Sequence, residues 1–382
     1  MTAAFRFTPA RLPPECDDLR REVRAFVAEE LAAGRWIPGG DFGANHSPEF
    51  SRRLGARGWI GMTWPKRYGG HERSMLERYV VTEELLVAGA PVAAHWTADR
   101  QSGPLLLRYG TEGQRQEFLP RIARGEIFFS IGMSEPDSGS DLASLRAKAE
   151  RVEGGWALTG TKVWTTWAHK SHYAITLCRT GPAGDTRHEG LTQFVVDLKG
   201  QGVTVRPIRN IAGNHEFNEV VLDGAFVPDN RVVGRPGDGW KQVTSELAFE
   251  RSGPERFLSA IRVLRELTRR LGSDPDPRAA EAVGRFAAHL WTLRKMSVSV
   301  AAMLQAGETP NLEAALVKDL GNAFEREIPE VARLVAPRRR EASNDRFEEV
   351  LADVVLNAPS WTLRGGTREI LRGIIARGLG LR

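Results

Sequence analysis

Two short segments of this 382-residue chain hold side chains whose types and spacing suit chemistry. The first is Ser130-Ile131-Gly132-Met133-Ser134-Glu135-Pro136-Asp137-Ser138-Gly139-Ser140-Asp141, a Gly/Ser-rich turn after an apolar run. It offers main-chain N–H groups and small hydroxyls with few bulky side chains before the backbone. The second is Lys162-Val163-Trp164-Thr165-Thr166, which reads as a strand-like run with an aromatic face beside two hydroxyls. An apolar wall with a few placed donors is what a flat, conjugated, partly anionic ligand such as a flavin requires. Taken singly, Trp164 reads as a core aromatic and the serines as turn residues. The two segments together, in this order, favour the ligand.

Both segments, with several others, resemble the acyl-CoA dehydrogenases, FAD enzymes that desaturate acyl-CoA thioesters. Trp64-Pro65-Lys66-Arg67-Tyr68-Gly69-Gly70 is similar to a loop in the family's N-terminal part. Tyr109 to Gln114 and Phe118 to Glu126 resemble its approach to the flavin segment. Phe217 to Asp223, Val227-Pro228, Gly237 to Trp240 and Gly365 to Ile370 follow in the family's order.

By that resemblance Met133 and Ser134 contact the isoalloxazine through main-chain and hydroxyl groups, and Ser140 touches the pantetheine arm. Trp164 walls the ring, and Thr165 and Thr166 hydrogen-bond near its N5. The implied reaction removes the α-proton with a carboxylate while the β-hydrogen leaves as hydride, with FAD as cofactor and an acyl-CoA as substrate. An electron-transfer flavoprotein or a similar acceptor follows as partner.

Many members carry the catalytic base in a C-terminal Glu-Gly-Thr, but here the chain reads Arg364-Gly365-Gly366-Thr367. Gly365 cannot abstract a proton. A minority, isovaleryl-CoA dehydrogenase among them, place the glutamate in a Glu-Arg pair on the helix after the β unit. Leu247-Ala248-Phe249-Glu250-Arg251 stands at that place. Glu250 is the expected base, and Arg251 the expected support and substrate-side cation. Leu247 and Phe249 would desolvate the carboxylate and raise its basicity. Thr367, Arg368 and Glu369 are expected FAD contacts, and Gly366 is expected to face substrate.

Homotetrameric members complete the FAD site with an Arg-Xaa-Xaa-Phe-Gly stretch and a Gln-Xaa-Xaa-Gly-Gly-Xaa-Gly stretch from a neighbouring subunit. Those places hold Arg269 to Pro277 and Val335 to Ser343 instead. The C-terminal half resembles bacterial members that act on bulky or branched acyl chains, some of which assemble from paired, unlike subunits. The partner is therefore either a second copy or a non-identical dehydrogenase subunit. Two other readings use the same scaffold: a flavin oxidase or monooxygenase, and a non-catalytic subunit supporting a catalytic one.

Composition is that of an ordinary soluble protein. Hydrophobic residues make up 41% and charged residues 26%, with a formal charge of +5. Acidic ligands such as the phosphates of coenzyme A and FAD suit that balance. Basic residues are interspersed with acids, so no nucleic-acid partner is indicated. Arg338-Arg339-Arg340 is the densest basic cluster and reads as a solvated loop. Two cysteines, Cys16 and Cys178, form no framework, and the histidines show no metal-ligand spacing. His46, His95 and His215 read as surface or satisfied core residues. Without a signal pattern or a membrane-spanning apolar run, the expected location is cytoplasmic and the expected contact with membrane is none.

Positioning these residues requires three kinds of chain. Helical periodicity runs over Glu15 to Ala33, Met75 to Val87 and Gln114 to Ala123. Short runs, mostly β-branched or aromatic, then follow: Trp156 to Leu158, Lys162 to Trp164, Tyr173 to Cys178, Thr192 to Asp197, Val203 to Arg206 and Glu219 to Leu222. Ala147 to Val152 is a weaker addition. After Trp240 helical periodicity returns, broken at Gly272 to Pro277 and at Ala336 to Arg340. An α+β protein is expected, with a helical N-terminal domain (1–127), a central β domain (128–235) and a C-terminal helical domain (236–382). The resemblance makes the centre a small barrel or sandwich and the C-terminal part a four-helix bundle.

Overall fold

A computed structural model of the chain describes residues 5–39, 45–182, 184–337 and 345–381, the side chains of residues 246–250 excepted. In chain order the helices are α1 (Glu15–Ala32), α2 (Pro48–Ala56), α3 (Met75–Ala88), α4 (Ala93–Thr97), α5 (Gly103–Tyr109), α6 (Glu112–Ala123), α7 (Gly239–Glu250), α8 (Ile261–Leu271), α9 (Pro277–Gln305), α10 (Asn311–Val335), α11 (Arg346–Trp361) and α12 (Arg368–Gly378). The strands are β1 (Phe129–Gly132), β2 (Lys148–Val152), β3 (Gly155–Lys162), β4 (Tyr173–Arg179), β5 (Leu191–Asp197), β6 (Val203–Ile208), β7 (Phe217–Pro228) and β8 (Val232–Val233). Helices, then strands, then helices is the order expected from the pattern.

The helices start where capping chemistry allows. Ser74 accepts from the Glu77 N–H while the Glu77 carboxylate accepts from the Ser74 N–H, a reciprocal pair that opens α3. Thr111 and Gln114 do the same for α6, so that helix begins at Glu112, ahead of the apolar periodicity that places its start at Gln114. Asp276 caps α9 with Pro277 in the first turn, where the missing N–H costs nothing.

The chain divides into two compact units, each discontinuous in sequence. One comprises residues 46–73 and 92–247 and contains the sheet. Its strands run β6-β7-β3-β2-β4-β5-β8, with β1 added beside β4 in parallel. The sheet buries Leu158, Cys178, Phe194, Val196, Leu222 and Val227 among its core residues. Gln114 of α6 donates from Nε2 to the carbonyls of Asn230 and Val232, both at 2.8 Å, and so ties that helix to the end of the sheet.

Two strand expectations need correction. Trp156 to Leu158 and Lys162 to Trp164 read as separate runs, yet β3 is one strand with a register shift between Leu158 and Gly160. Gly160 has φ +151, and a Cβ there would lie 2.5 Å from the Ala147 Cβ, so only glycine passes. The strand also stops at Lys162. The Val163 N–H turns to the Ser134 carbonyl at 2.9 Å, and Trp164 takes φ +59, which no extended strand accommodates.

The other unit comprises residues 1–45, 74–91 and 248–382. Within it α1 packs on α3, α3 on α9, and α10 against α9, α11 and α12. Glu83 and Glu84 of α3 are buried and take Arg20 of α1; Glu83 also takes Arg294 of α9 at 2.6 and 2.9 Å. No described helix is long and apolar enough to cross a membrane. Both cysteines are free and buried.

Candidate active site

Met133 and Ser134 follow directly on β1, and Lys162 closes β3, so the two sequence segments lie side by side. The Val163 N–H to Ser134 carbonyl bond joins their backbones. The Glu135 N–H donates to the Ser138 carbonyl at 2.7 Å and the Ser138 N–H returns to the Glu135 carbonyl at 3.1 Å, which closes a turn beyond Ser134. Met133 packs with Leu142 and Trp240 against Leu145, Leu177, Leu191 and Val243. Ser140 is exposed past this turn.

Trp164 is 59% exposed, with its ring edge-on to Phe217 at 6.0 Å. A core role is thereby excluded, and a flat apolar face stands open beside the turn. The two threonines differ. Thr165 is fully buried, and its hydroxyl has no partner among the described residues. Its backbone is clamped by Asn218, whose carbonyl accepts from the Thr165 N–H and whose Nδ2 donates to the Thr165 carbonyl, both at 3.0 Å. The Asn218 Oδ1 receives His169 Nδ1 at 3.1 Å and His215 Nε2 at 2.8 Å, and the two imidazoles stack 3.8 Å apart. Sequence spacing gave no sign of this pairing, because the residues come from different loops. Thr166 is only half-buried, and its carbonyl accepts from Ser130 Oγ at 2.9 Å.

A cradle for a flavin needs donors that the protein itself leaves unspent. Among the described residues, neither Ser134 nor Thr166 spends its N–H or hydroxyl on a protein acceptor. Four donors on two joined segments therefore remain available next to an exposed indole, which fits the polar edge and apolar face of the ring. Burial removes the Thr165 hydroxyl from that set.

Beneath the turn lies a charged pair that the sequence reading missed. Lys162 is fully buried, and its Nζ donates to Glu135 Oε1 at 2.8 Å and to the Met133 carbonyl at 3.1 Å. Glu135 further accepts from the Arg146 N–H at 2.7 Å and the Ala147 N–H at 2.9 Å. Burial pushes its pKa up, but Lys162 and the two amides outweigh this and hold it below the usual carboxylate range. The sign of it along the chain is no more than a lysine at the head of a strand-like run that follows a Gly/Ser turn.

Glu250 is the last residue of α7, and its side chain lies outside the described residues. Arg251 is buried, and its Nε donates to the Gly365 carbonyl at 3.3 Å. Lys318, also buried, donates to the Gly366 carbonyl at 2.8 Å. Gly365 and Gly366 have φ +66 and +98, so the Arg-Gly-Gly-Thr segment is a tight left-handed turn gripped by two cations. Thr367 then caps α12 by accepting from the Ile370 N–H at 3.4 Å. Arg368 turns to Asp319 of α10 at 2.8 Å. Glu369 is exposed; bonds from its own N–H and from the Thr367 hydroxyl lower its pKa. Arg338-Arg339-Arg340 falls outside the described residues. Among those described, no group of three or more His, Cys, Asp or Glu could hold a metal ion.

Comparison with known proteins follows these segments. The profile of the acyl-CoA dehydrogenase N-terminal domain matches residues 13–126, and that of the middle domain matches residues 130–225. Acyl-CoA dehydrogenase IpdE1 of Mycobacterium tuberculosis is 35% identical over 96% of this chain and 98% of its own length. Acyl-CoA dehydrogenase FadE34 of the same organism is 34% identical over 96% of this chain, which spans 49% of that relative. Among solved structures, the Tcur3481-Tcur3483 steroid acyl-CoA dehydrogenase superposes with TM-score 0.86, 29% identity and coverage of 97% of this chain and 99% of that one. The ChsE4-ChsE5 complex from Mycobacterium tuberculosis gives TM-score 0.82 at 28% identity, covering 98% and 100%. Profiles that match almost continuously from residue 13 to residue 225, and a relative aligned nearly end to end, make this chain a member of the acyl-CoA dehydrogenase family of oxidoreductases.

Proposed function

We propose that the chain carries out FAD-dependent α,β-desaturation of an acyl-CoA thioester. One observation carries the reading: the free donors of Ser134 and Thr166 sit on joined backbone segments beside exposed Trp164, in a chain of a family that generally binds FAD. Bound there, FAD supplies a two-electron acceptor for the β-hydrogen. Met133, Ser134 and Thr166 orient the ring, and Trp164 covers its edge and keeps water away. Thr367, Arg368 and Glu369 supply further FAD contacts at the start of α12.

Glu250 takes the α-proton on its carboxylate oxygen. Arg251 holds the chain just past that base by its bond to the Gly365 carbonyl. Gly366, bare of side chain, leaves room for substrate, and Ser140 meets the pantetheine arm. The acyl group is bulky and ring-bearing, a choice supported by the steroid acyl-CoA dehydrogenase at 29% identity. Electrons pass on to an electron-transfer flavoprotein or a similar acceptor.

A non-identical dehydrogenase subunit completes the assembly. This is supported by two similar structures that carry paired names, Tcur3481-Tcur3483 and the ChsE4-ChsE5 complex. The test is a visible spectrum and flavin stoichiometry of the chain purified alone and with its co-expressed neighbour, before and after a panel of acyl-CoAs. Bleaching of bound flavin by a bulky thioester is expected. Flavin that ignores every thioester yet consumes O₂ once reduced would replace this reading with an oxidase or monooxygenase. A flavin-free chain in both preparations would leave it a non-catalytic subunit.

A further inference from the structure

The buried pair under the flavin turn calls for more than a structural role. A lysine and a glutamate removed from water lose several kcal/mol each in hydration, and apolar replacements of such pairs are often neutral or stabilising. Lys162 is nonetheless fully buried and Glu135 is 8% exposed. The two charges are also spent on opposite sides. Glu135 turns its oxygens to Lys162 and to the N–H groups of Arg146 and Ala147 at 2.7 and 2.9 Å. Lys162 directs its remaining reach at the Met133 carbonyl, 3.1 Å away.

That carbonyl belongs to the peptide whose N–H is the free donor of Ser134. A cation on a carbonyl oxygen draws electron density through the amide and strengthens the N–H opposite, as in any polarised hydrogen-bond chain. In a dry interior the ammonium's field also reaches further than in water. Hydride uptake brings two electrons and one proton to the ring, so the ring gains one unit of negative charge. A donor strengthened beforehand stabilises the product of that uptake more than its starting form, at no cost of reorganisation.

We infer that Lys162 is a positioning residue that, through the Met133–Ser134 peptide, biases the bound flavin toward its reduced form, with Glu135 setting the size of that bias. The inference rests on the proposed flavin function, and its test separates the two. Flavin-loaded wild type, Lys162→Met and Glu135→Gln, each with the partner subunit if loading requires it, are titrated reductively against a reference dye to read the midpoint potential. Lys162→Met is expected to bind oxidised flavin and to favour the reduced form about tenfold less, a fall of about 30 mV for a two-electron couple. Glu135→Gln, which leaves the ammonium less compensated, is expected to shift the potential upward.

Opposite signs are the signature, because a purely structural pair would damage the site alike from either side. Shifts of the same sign, or none, overturn the inference. If Lys162→Met does not fold, an unmoved or lowered potential in folded Glu135→Gln overturns it alone. Wild type that binds no flavin defeats the functional reading itself and removes the ground for this one.

Discussion

Arg251 Nε donates to the carbonyl of Gly365 at 3.3 Å. The residue that follows Glu250 is thereby fastened to the first glycine of Arg364-Gly365-Gly366-Thr367. With Lys318 on the Gly366 carbonyl at 2.8 Å, the Gly365-Gly366 turn is held by two buried cations. Both glycines have positive φ, so a side chain at either would be strained.

If Glu250 is the base, Glu250→Gln should retain flavin and lose at least ~10²-fold in turnover, the usual worth of a positioned general base. Stopped-flow bleaching with a thioester that reduces wild type measures this directly. Turnover equal to wild type would take the role away from Glu250.

Gly366→Ala should lower the free energy of unfolding by about 1–2 kcal/mol, since φ +98 is costly for any residue with a Cβ. The new methyl would also lie 3.4 Å from Arg251 Nη2 and 3.9 Å from the Ile370 side chain. Urea titration reads the loss. An unchanged midpoint would mean the turn relaxes freely and is not gripped as described.

The two threonines after Trp164 should separate under mutation. Thr165→Val removes a buried hydroxyl that has no described partner, so stability should hold or rise by up to about 1 kcal/mol, with flavin affinity unchanged. Thr166→Val should weaken flavin binding by about tenfold, the value of a lost hydrogen bond of about 1.4 kcal/mol. Equal losses from both would return Thr165 to the flavin site.

Acid should destabilise the sheet-bearing unit through His95. This histidine is buried, with Nδ1 2.8 Å from Ser51 Oγ. Burial pushes its pKa down to about 4, and Arg100 adds to this while Asp99 opposes it. The folded value lies below the unfolded one of about 6.5, so as pH falls the unfolded chain binds the proton first. The contribution is complete above pH about 6.5 and is lost progressively toward pH about 4, amounting to about 3 kcal/mol. His95→Gln should flatten the fall in stability across that window in denaturant titrations. A slope equal to wild type would assign the acid sensitivity elsewhere.

Family and fold order were legible in the chain because each rests on local chemistry. Alternating β-branched runs, capping pairs such as Ser74–Glu77, and a Gly/Ser turn followed by Lys-Val-Trp-Thr-Thr depend on residues close in sequence. That Arg364-Gly365-Gly366-Thr367 offers no carboxylate could likewise be read directly. What the chain could not disclose are relations set by distance in space. The pattern puts Lys162 at the head of a strand-like run, but only the packed sheet ends β3 there, removes its ammonium from water and leaves Glu135 and the Met133 carbonyl as its acceptors. Composition treats Thr165 and Thr166 as equals, and it is the Asn218 clamp and the left-handed turn at Trp164 that bury one and leave the other open. His169 and His215 meet on one amide oxygen for the same reason. The sequence by itself determined which kinds of groups are present and in what local structure. Tertiary packing decided which of them lose water, because desolvation depends on every neighbour in space and on none in particular along the chain.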